Sequence, residues 1–233
     1  MSKKITVISL GGSVIVPDKP NTEAMRAFVE LIQARIEEGE RFVIVVGGGG
    51  VARVYQKALT ELSVTDSVAL DTIGVSATRL NAELVRIAFG GNAHLRVISN
   101  TEDISEWGDT PLIIASGEKP GNSTDYCAVR YAVLSGAQYV LNLSNTSQVY
   151  TADPRVDSDA KPLESIFWEE YLSLIPSEWK PGLSTPFDPV ASRLAKENNI
   201  PVYIMDGREG LNTKNFLEGK KYIGTRIANR NEE

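Results

Sequence analysis

The sequence predicts an α/β protein, a three-layer α-β-α sandwich with a mostly parallel central sheet. Two observations carry that expectation. Short runs of Val, Ile and Leu, too apolar to alternate, recur at 5–10, 42–46, 112–115, 139–143 and 202–205, and such runs fit strands buried on both faces. Longer segments of helical character lie between them, at 22–38, 51–62, 67–89, 124–134, 164–172 and 189–198, and strands alternating with helices are the pattern of a sheet covered by helices.

Taken in order, strand 5–10 runs straight into Gly11-Gly12-Ser13, and helix 22–38 is closed by Gly39. Strand 42–46 leads to Gly47-Gly48-Gly49-Gly50, from which the helix at 51–62, with Arg53, departs. Gly90-Gly91 follow helix 67–89 and Gly136 follows helix 124–134, because the residue just past a helix often takes a conformation open chiefly to glycine. A break at 108–111 divides an N-terminal lobe of about 1–110 from a C-terminal lobe of about 111–233, yet strand 112–115 resumes at once, so one domain with a shared sheet is expected. After strand 139–143, the Pro- and Asp-rich stretch 144–162 reads as an excursion from the sheet. Helix 164–172 follows, and Asp188-Pro189 opens the final helix with an acceptor cap and a proline at its first position, ahead of strand 202–205.

Composition bounds the function. The 233 residues, 42% hydrophobic and 23% charged, are those of an ordinary globular protein, large enough to bury a substantial core. A net charge of -6 argues against a general nucleic-acid binder, which draws affinity from clustered Lys and Arg. Met1-Ser2-Lys3-Lys4 leads directly into the first strand and no apolar run approaches the ~20 residues of a membrane helix, so a cytoplasmic protein with no membrane partner is expected. Cys127 and His94 are single, which excludes an internal disulfide and any cysteine or histidine cluster around a metal. Cys127 reads as a small buried hydrophobe and His94 as a surface or packing residue.

Three strand ends carry chemistry. Ser9-Leu10-Gly11-Gly12-Ser13 lets the backbone turn sharply and present N–H groups to an anion, although alone it is also what a simple turn looks like. Gly47 to Gly50 place backbone donors at a helix start, where the dipole also favours phosphate. Glu118-Lys119-Pro120-Gly121-Asn122-Ser123-Thr124-Asp125 forms a third strand, turn and helix start, whose hydroxyls and amides serve either a ligand or the helix cap. Neither glycine loop fits the Gly-x-x-x-x-Gly-Lys-Ser/Thr or Gly-x-Gly-x-x-Gly patterns.

These segments, with Asp71-Thr72-Ile73-Gly74, Arg79-Leu80-Asn81-Ala82, Val149-Tyr150-Thr151-Ala152-Asp153-Pro154-Arg155 and Phe187-Asp188-Pro189, resemble the amino acid kinase family over nearly the whole chain. The stretch 71–84 resembles the uridylate (UMP) kinases of archaeal type within it. The resemblance implies transfer of the γ-phosphoryl group of ATP to UMP, with Mg²⁺, in pyrimidine nucleotide synthesis, by a hexamer built from dimers. By position, Gly48, Asp71 and Glu118, Lys119, Pro120, Gly121, Asn122, Ser123 and Thr124 would bind UMP. Ser9, Leu10, Gly11, Gly12, Ser13, Gly49 and Arg53 would surround the ATP phosphates, and Ser144, Asn145, Tyr150 and Asp153 would frame its nucleoside. Arg53, Lys119 and Asp125 are the expected catalytic residues, no side-chain metal site being expected.

The residues themselves leave alternatives at several of these positions. Asp71 suits ribose hydroxyls, or is a surface residue; Tyr150 offers a flat face to adenine, or anchors its loop; Asp125 orients donors, or caps its helix. The chain departs from the family pattern twice. Ser9 stands where many such kinases carry a lysine, leaving Lys119, Arg53 or Mg²⁺ to compensate, and Asn145-Thr146-Ser147-Gln148-Val149-Tyr150 stands where Asn-x-Asp-Gly-Val-Tyr is usual. A kinase of the same fold with another small acceptor, and a silent nucleotide-binding sensor or storage protein, are the competing functions.

Overall fold

The computed structural model describes residues 4–178 and 185–230. Met1 to Lys3, part of the segment from which the cytoplasmic expectation is read, lie outside the described residues. In chain order the elements are β1 (Ile5–Leu10), α1 (Gly12–Ile15), α2 (Thr22–Glu37), β2 (Arg41–Val46), α3 (Gly49–Glu61), α4 (Ser67–Phe89), β3 (Leu112–Ala115), α5 (Thr124–Ser135), β4 (Val140–Ser144), β5 (Val149–Tyr150), β6 (Pro162–Leu163), β7 (Ser165–Phe167), α6 (Trp168–Leu174), α7 (Pro189–Glu197), β8 (Val202–Asp206), α8 (Gly210–Leu217) and β9 (Thr225–Ala228). Two 3₁₀ turns, Gly90–Asn92 and Thr101–Trp107, fill the way from α4 to β3.

Seven strands form one sheet in the order β3-β2-β1-β4-β8-β9-β7, and β5 and β6 make a separate hairpin. β3, β2, β1, β4 and β8 are mutually parallel, β9 runs against β8, and β7 lies parallel to β9 at the edge. Because side chains alternate along a strand, the uninterrupted apolar runs feed both faces. Val7, Val43, Val45, Ile113 and Val140 pack with Cys127 and Tyr131 of α5, Trp168 and Tyr171 of α6, and Ala191 of α7. Ile8, Leu10, Ile44, Val46 and Leu141 pack on the other face with Phe28 of α2, Val85 and Phe89 of α4, and Leu217 of α8. The three expected layers are present, and Cys127 is buried as expected.

The end signals work as read. Asp188 Oδ1 accepts from Ala191 N at 2.6 Å to cap α7 above Pro189, and Gly136 closes α5 in the left-handed conformation at φ 71°. One expected helix needs correction: residues 165–167 of the 164–172 segment are strand β7, and α6 starts only at Trp168. β7 pairs with β9, about sixty residues on, and such a distant partner outweighs local helix preference. Among the described residues, no helix is long and apolar enough to cross a membrane.

Candidate active site

From β1 the chain moves outward through β2 to β3, then crosses back to lay β4 and β8 on the other side of β1. The carboxyl ends of these parallel strands share one edge, and open sheets bind ligands at such a reversal. β1 and β4 meet there, Ser9 opposite Asn142 and Leu10 opposite Leu143.

The two glycine loops interlock over this point. Gly11 N donates to Leu143 O at 2.7 Å, Gly47 N to Leu10 O at 2.9 Å, and Gly50 N to Val16 O at 2.8 Å. A β-carbon on Gly12 would lie 2.1 Å from Gly49 N, and one on Gly49, whose φ is +58°, would lie 2.4 Å from Val16 O. Glycine is therefore demanded here by backbone packed on backbone. Gly12 and Ser13 begin α1, while Gly48 caps and Gly49 begins α3, so their N–H groups have no preceding helical turn to serve. Leu10 contributes only main chain, since its side chain lies in the core.

Asp125 sits beside the reversal. Ser9 Oγ and Asn142 Nδ2 donate to its Oδ1 at 2.8 and 2.9 Å, and Asp188 N donates to Oδ2 at 3.3 Å. Burial pushes its pKa up to about 7, with neighbouring Asp188 adding to the rise and the Ser9, Asp188 N and Asn142 hydrogen bonds opposing it. The cap of α5 belongs instead to Ser123, whose Oγ accepts from Tyr126 N at 3.0 Å, so the capping role considered for Asp125 is filled. Phe187, just before Asp188, is held by Tyr171, which both donates to Phe187 O and accepts from Phe187 N, at 2.9 and 2.7 Å.

Among the residues expected to bind UMP, Asp71 Oδ2 accepts from Gly121 N at 2.5 Å and joins α4 to the 118–124 loop. Burial raises the Asp71 pKa, and the Gly121 hydrogen bond opposes the rise. Gly121 has φ +92°, a turn in which glycine carries no steric penalty. Arg79 Nη2 donates to Glu118 O at 3.1 Å, and Asn122 N donates to Lys119 O at 3.2 Å. Lys119 and Pro120 are exposed, and Thr124 opens α5. Arg53 is exposed with Nη2 on Pro17 O at 2.8 Å, beside the glycine loops.

The residues expected to frame the ATP nucleoside, Ser144, Asn145, Tyr150 and Asp153, line one pocket of about 580 Å³ together with Tyr171 and Ile175. It adjoins the first glycine loop, since a β-carbon on Gly11 would lie 3.3 Å from Ser144 Cα. Tyr150 Oη lies 3.4 Å from Ser147 Oγ. Asp153 is engaged by Arg155 Nη2 at 2.8 Å, and that guanidinium holds its pKa down at about 2. In place of the usual Asp-Gly, Gln148 Nε2 donates to Gly224 O at 3.2 Å and anchors the hairpin to the approach to β9.

Sequence reasoning left Thr78, Asn81 and Asn142 without a site role. Thr78 Oγ1 accepts from Gly117 N at 2.9 Å. Asn81 Nδ2 donates to Gly47 O and Gly48 O at 2.9 and 3.0 Å. Asn81 stands in the Arg79-Leu80-Asn81-Ala82 segment that carries the resemblance; for Thr78 and Asn142 the available signal was a polar residue on the otherwise core-facing side of its element.

The model of the amino acid kinase family matches residues 4–206. A uridylate kinase of Methanospirillum hungatei is 34% identical over 226 residues, covering 95% of this chain and 94% of its own. One of Hyperthermus butylicus is 33% identical over 229 residues, covering 98% and 100%. The crystal structure of uridylate kinase from Archaeoglobus fulgidus superposes with a TM-score of 0.82 at 30% identity, over 97% of this chain and all of that one. That of UMP kinase from Bacillus anthracis, with a TM-score of 0.79 at 21% identity over 97% and 96%, is a likeness of fold.

Proposed function

The chain belongs to the amino acid kinase family, and from that premise we propose that it is a uridylate kinase, converting ATP and UMP to ADP and UDP. Full-length similarity to archaeal uridylate kinases supports the reading. The observation that carries it is the convergence at one sheet edge of the interlocked Gly12 and Gly49 loops, the Asp71 to Gly121 link on one side and the 144–153 pocket on the other.

UMP lies on the N-terminal lobe, about 1–110, with the 118–124 loop folded over it, and ATP lies on the C-terminal lobe, about 111–233. A phosphate oxygen of UMP bonds to the γ-phosphorus as the bond to the β,γ-bridging oxygen breaks and ADP leaves. The acceptor is already an anion, so the protein needs no dedicated base; it lines up the two phosphates and stabilises the moving charge. The Gly12, Ser13, Gly48 and Gly49 N–H groups, Arg53 and Lys119 supply donors, and Asp125 holds Ser9 and Asn142 in register.

The donor set fits Mg²⁺ carried by ATP, which when bound would neutralise phosphate charge. Asp125, Asp188 and Asn142 Oδ1 would face it, and Asn142 Oδ1 and Asp188 Oδ2 are buried oxygens without a hydrogen-bond partner. The described residues contain no group of three or more His, Cys, Asp or Glu able to hold a metal, so phosphates and water would have to supply the remaining ligands, as is usual for this ion. Exposed Val54 and Tyr55 on α3, and Leu80 and Ile87 on α4, supply apolar surface for a cytoplasmic hexamer of dimers.

ADP release measured with and without UMP tests the function. UMP-dependent release is expected; activity only with CMP, acetylglutamate or isopentenyl phosphate would assign another acceptor. The missing lysine at Ser9 favours one rival, a silent nucleotide sensor, which would bind ATP without releasing ADP.

A further inference from the structure

Asn81 is 2% exposed, in the middle of α4. Asparagine is a poor helix former, and burying its amide is costly unless the amide is hydrogen-bonded. Its Nδ2 faces Gly47 O at 2.9 Å and Gly48 O at 3.0 Å. An amide nitrogen carries two hydrogens, so both contacts are donations.

The contacts bear on consecutive peptide planes of the phosphate loop. A trans peptide is flat, and its carbonyl points opposite to the N–H of the next residue; the described chain contains no cis bond. Holding Gly47 O therefore aims the N–H of Gly48, and holding Gly48 O aims that of Gly49. Ala52 N also donates to Gly48 O at 3.2 Å, so the Gly48-Gly49 plane is held from two sides, while the Gly47-Gly48 plane, flanked by glycines open to both hands of backbone conformation, is held at its carbonyl by Asn81. Turned over, that plane would present a carbonyl oxygen to an anion in place of the Gly48 N–H. Asp71 lies seven residues before Thr78 and Thr78 three before Asn81, so the three share a face of α4; Asp71 and Thr78 accept from Gly121 N and Gly117 N, where Asn81 donates to carbonyls.

We propose that Asn81 is a positioning residue that locks the Gly47-Gly48-Gly49 peptide planes, so that the Gly48 and Gly49 N–H groups face phosphate. This rests on reading the loop as a phosphate cradle.

The test uses the ¹⁵N-labelled full chain titrated with inorganic phosphate, following the Gly48 and Gly49 amide signals. In the wild type both signals move. In Asn81→Ala, and in Asn81→Ser should the alanine variant not fold, phosphate affinity falls tenfold or more. Val85→Ala removes buried core from the same helix without touching the loop, and it keeps wild-type phosphate affinity despite a lowered melting temperature. Wild-type Gly48 and Gly49 amides indifferent to phosphate, or Asn81 variants that lose melting temperature alone, overturn the assignment. Absent UMP turnover with an intact phosphate response at these amides sinks the uridylate reading and leaves the Asn81 assignment standing.

Discussion

Ser9 Oγ donates to Asp125 Oδ1 across 2.8 Å, which sets a neutral hydroxyl against a buried carboxyl where many kinases of this fold carry an ammonium group. With no such cation beside it, Asp125 is raised by burial to about 7, so its charge changes within the working pH range.

That shift gives stability a sign with pH. The folded pKa lies above the ordinary 3.8, so the native state holds the proton more tightly than the unfolded chain, and the stability it contributes is present below 3.8 and lost as pH rises through about 7. Wild-type melting temperature should fall between about pH 5 and about pH 8 more than that of Asp125→Asn. Equal falls in calorimetry would rule out Asp125 as the source.

Charge at the transferring phosphoryl group must come from elsewhere. Arg53→Ala and Lys119→Ala should each lower kcat on the order of 10- to 100-fold, somewhat less than the loss of a preorganised donor at a closed site. Near-normal turnover in both variants would leave neither residue a catalytic role.

The Asp71 carboxylate binds the Gly121 N–H directly. Asp71→Ala should raise the KM for UMP about tenfold, the equivalent of about 1.4 kcal/mol, with the KM for ATP nearly unchanged. A rise shared by both substrates in steady-state kinetics would mean a general disturbance instead.

Gly12→Ala would drive a β-carbon to 2.1 Å from Gly49 N. Loss of at least about 1–3 kcal/mol by urea denaturation is expected from overpacking of this kind, together with loss of turnover. Gly91→Ala, with nothing within 4 Å of its added carbon, should stay within about 0.5 kcal/mol of wild type.

Some elements were legible because each carries its own evidence: strands Ile5–Leu10 and Leu112–Ala115 and helix α4 at Ser67–Phe89 have the bounds expected from apolar runs and flanking glycines. β7 and β9 were not, since Ser165–Phe167 and Thr225–Ala228 are short and become strands only through each other and β8. The same limit holds at the site. Glycine turns after strands pointed to one shared sheet edge, but the packing of Gly12 on Gly49 and the reach of Asn81 to Gly47 and Gly48 join segments distant in sequence. Gln148 shows the converse, because its departure from the family pattern was visible while its bond to Gly224 O was not.

The meeting of Gly12 with Gly49 involves no side chain at all. On the proposed reading, donor and acceptor phosphates are gauged against a single fused ruler of main chain, one that ordinary substitution cannot lengthen by small degrees. On that reading, adjustment of substrate choice falls to the periphery, at the 118–124 turn and the Val149–Tyr150 hairpin.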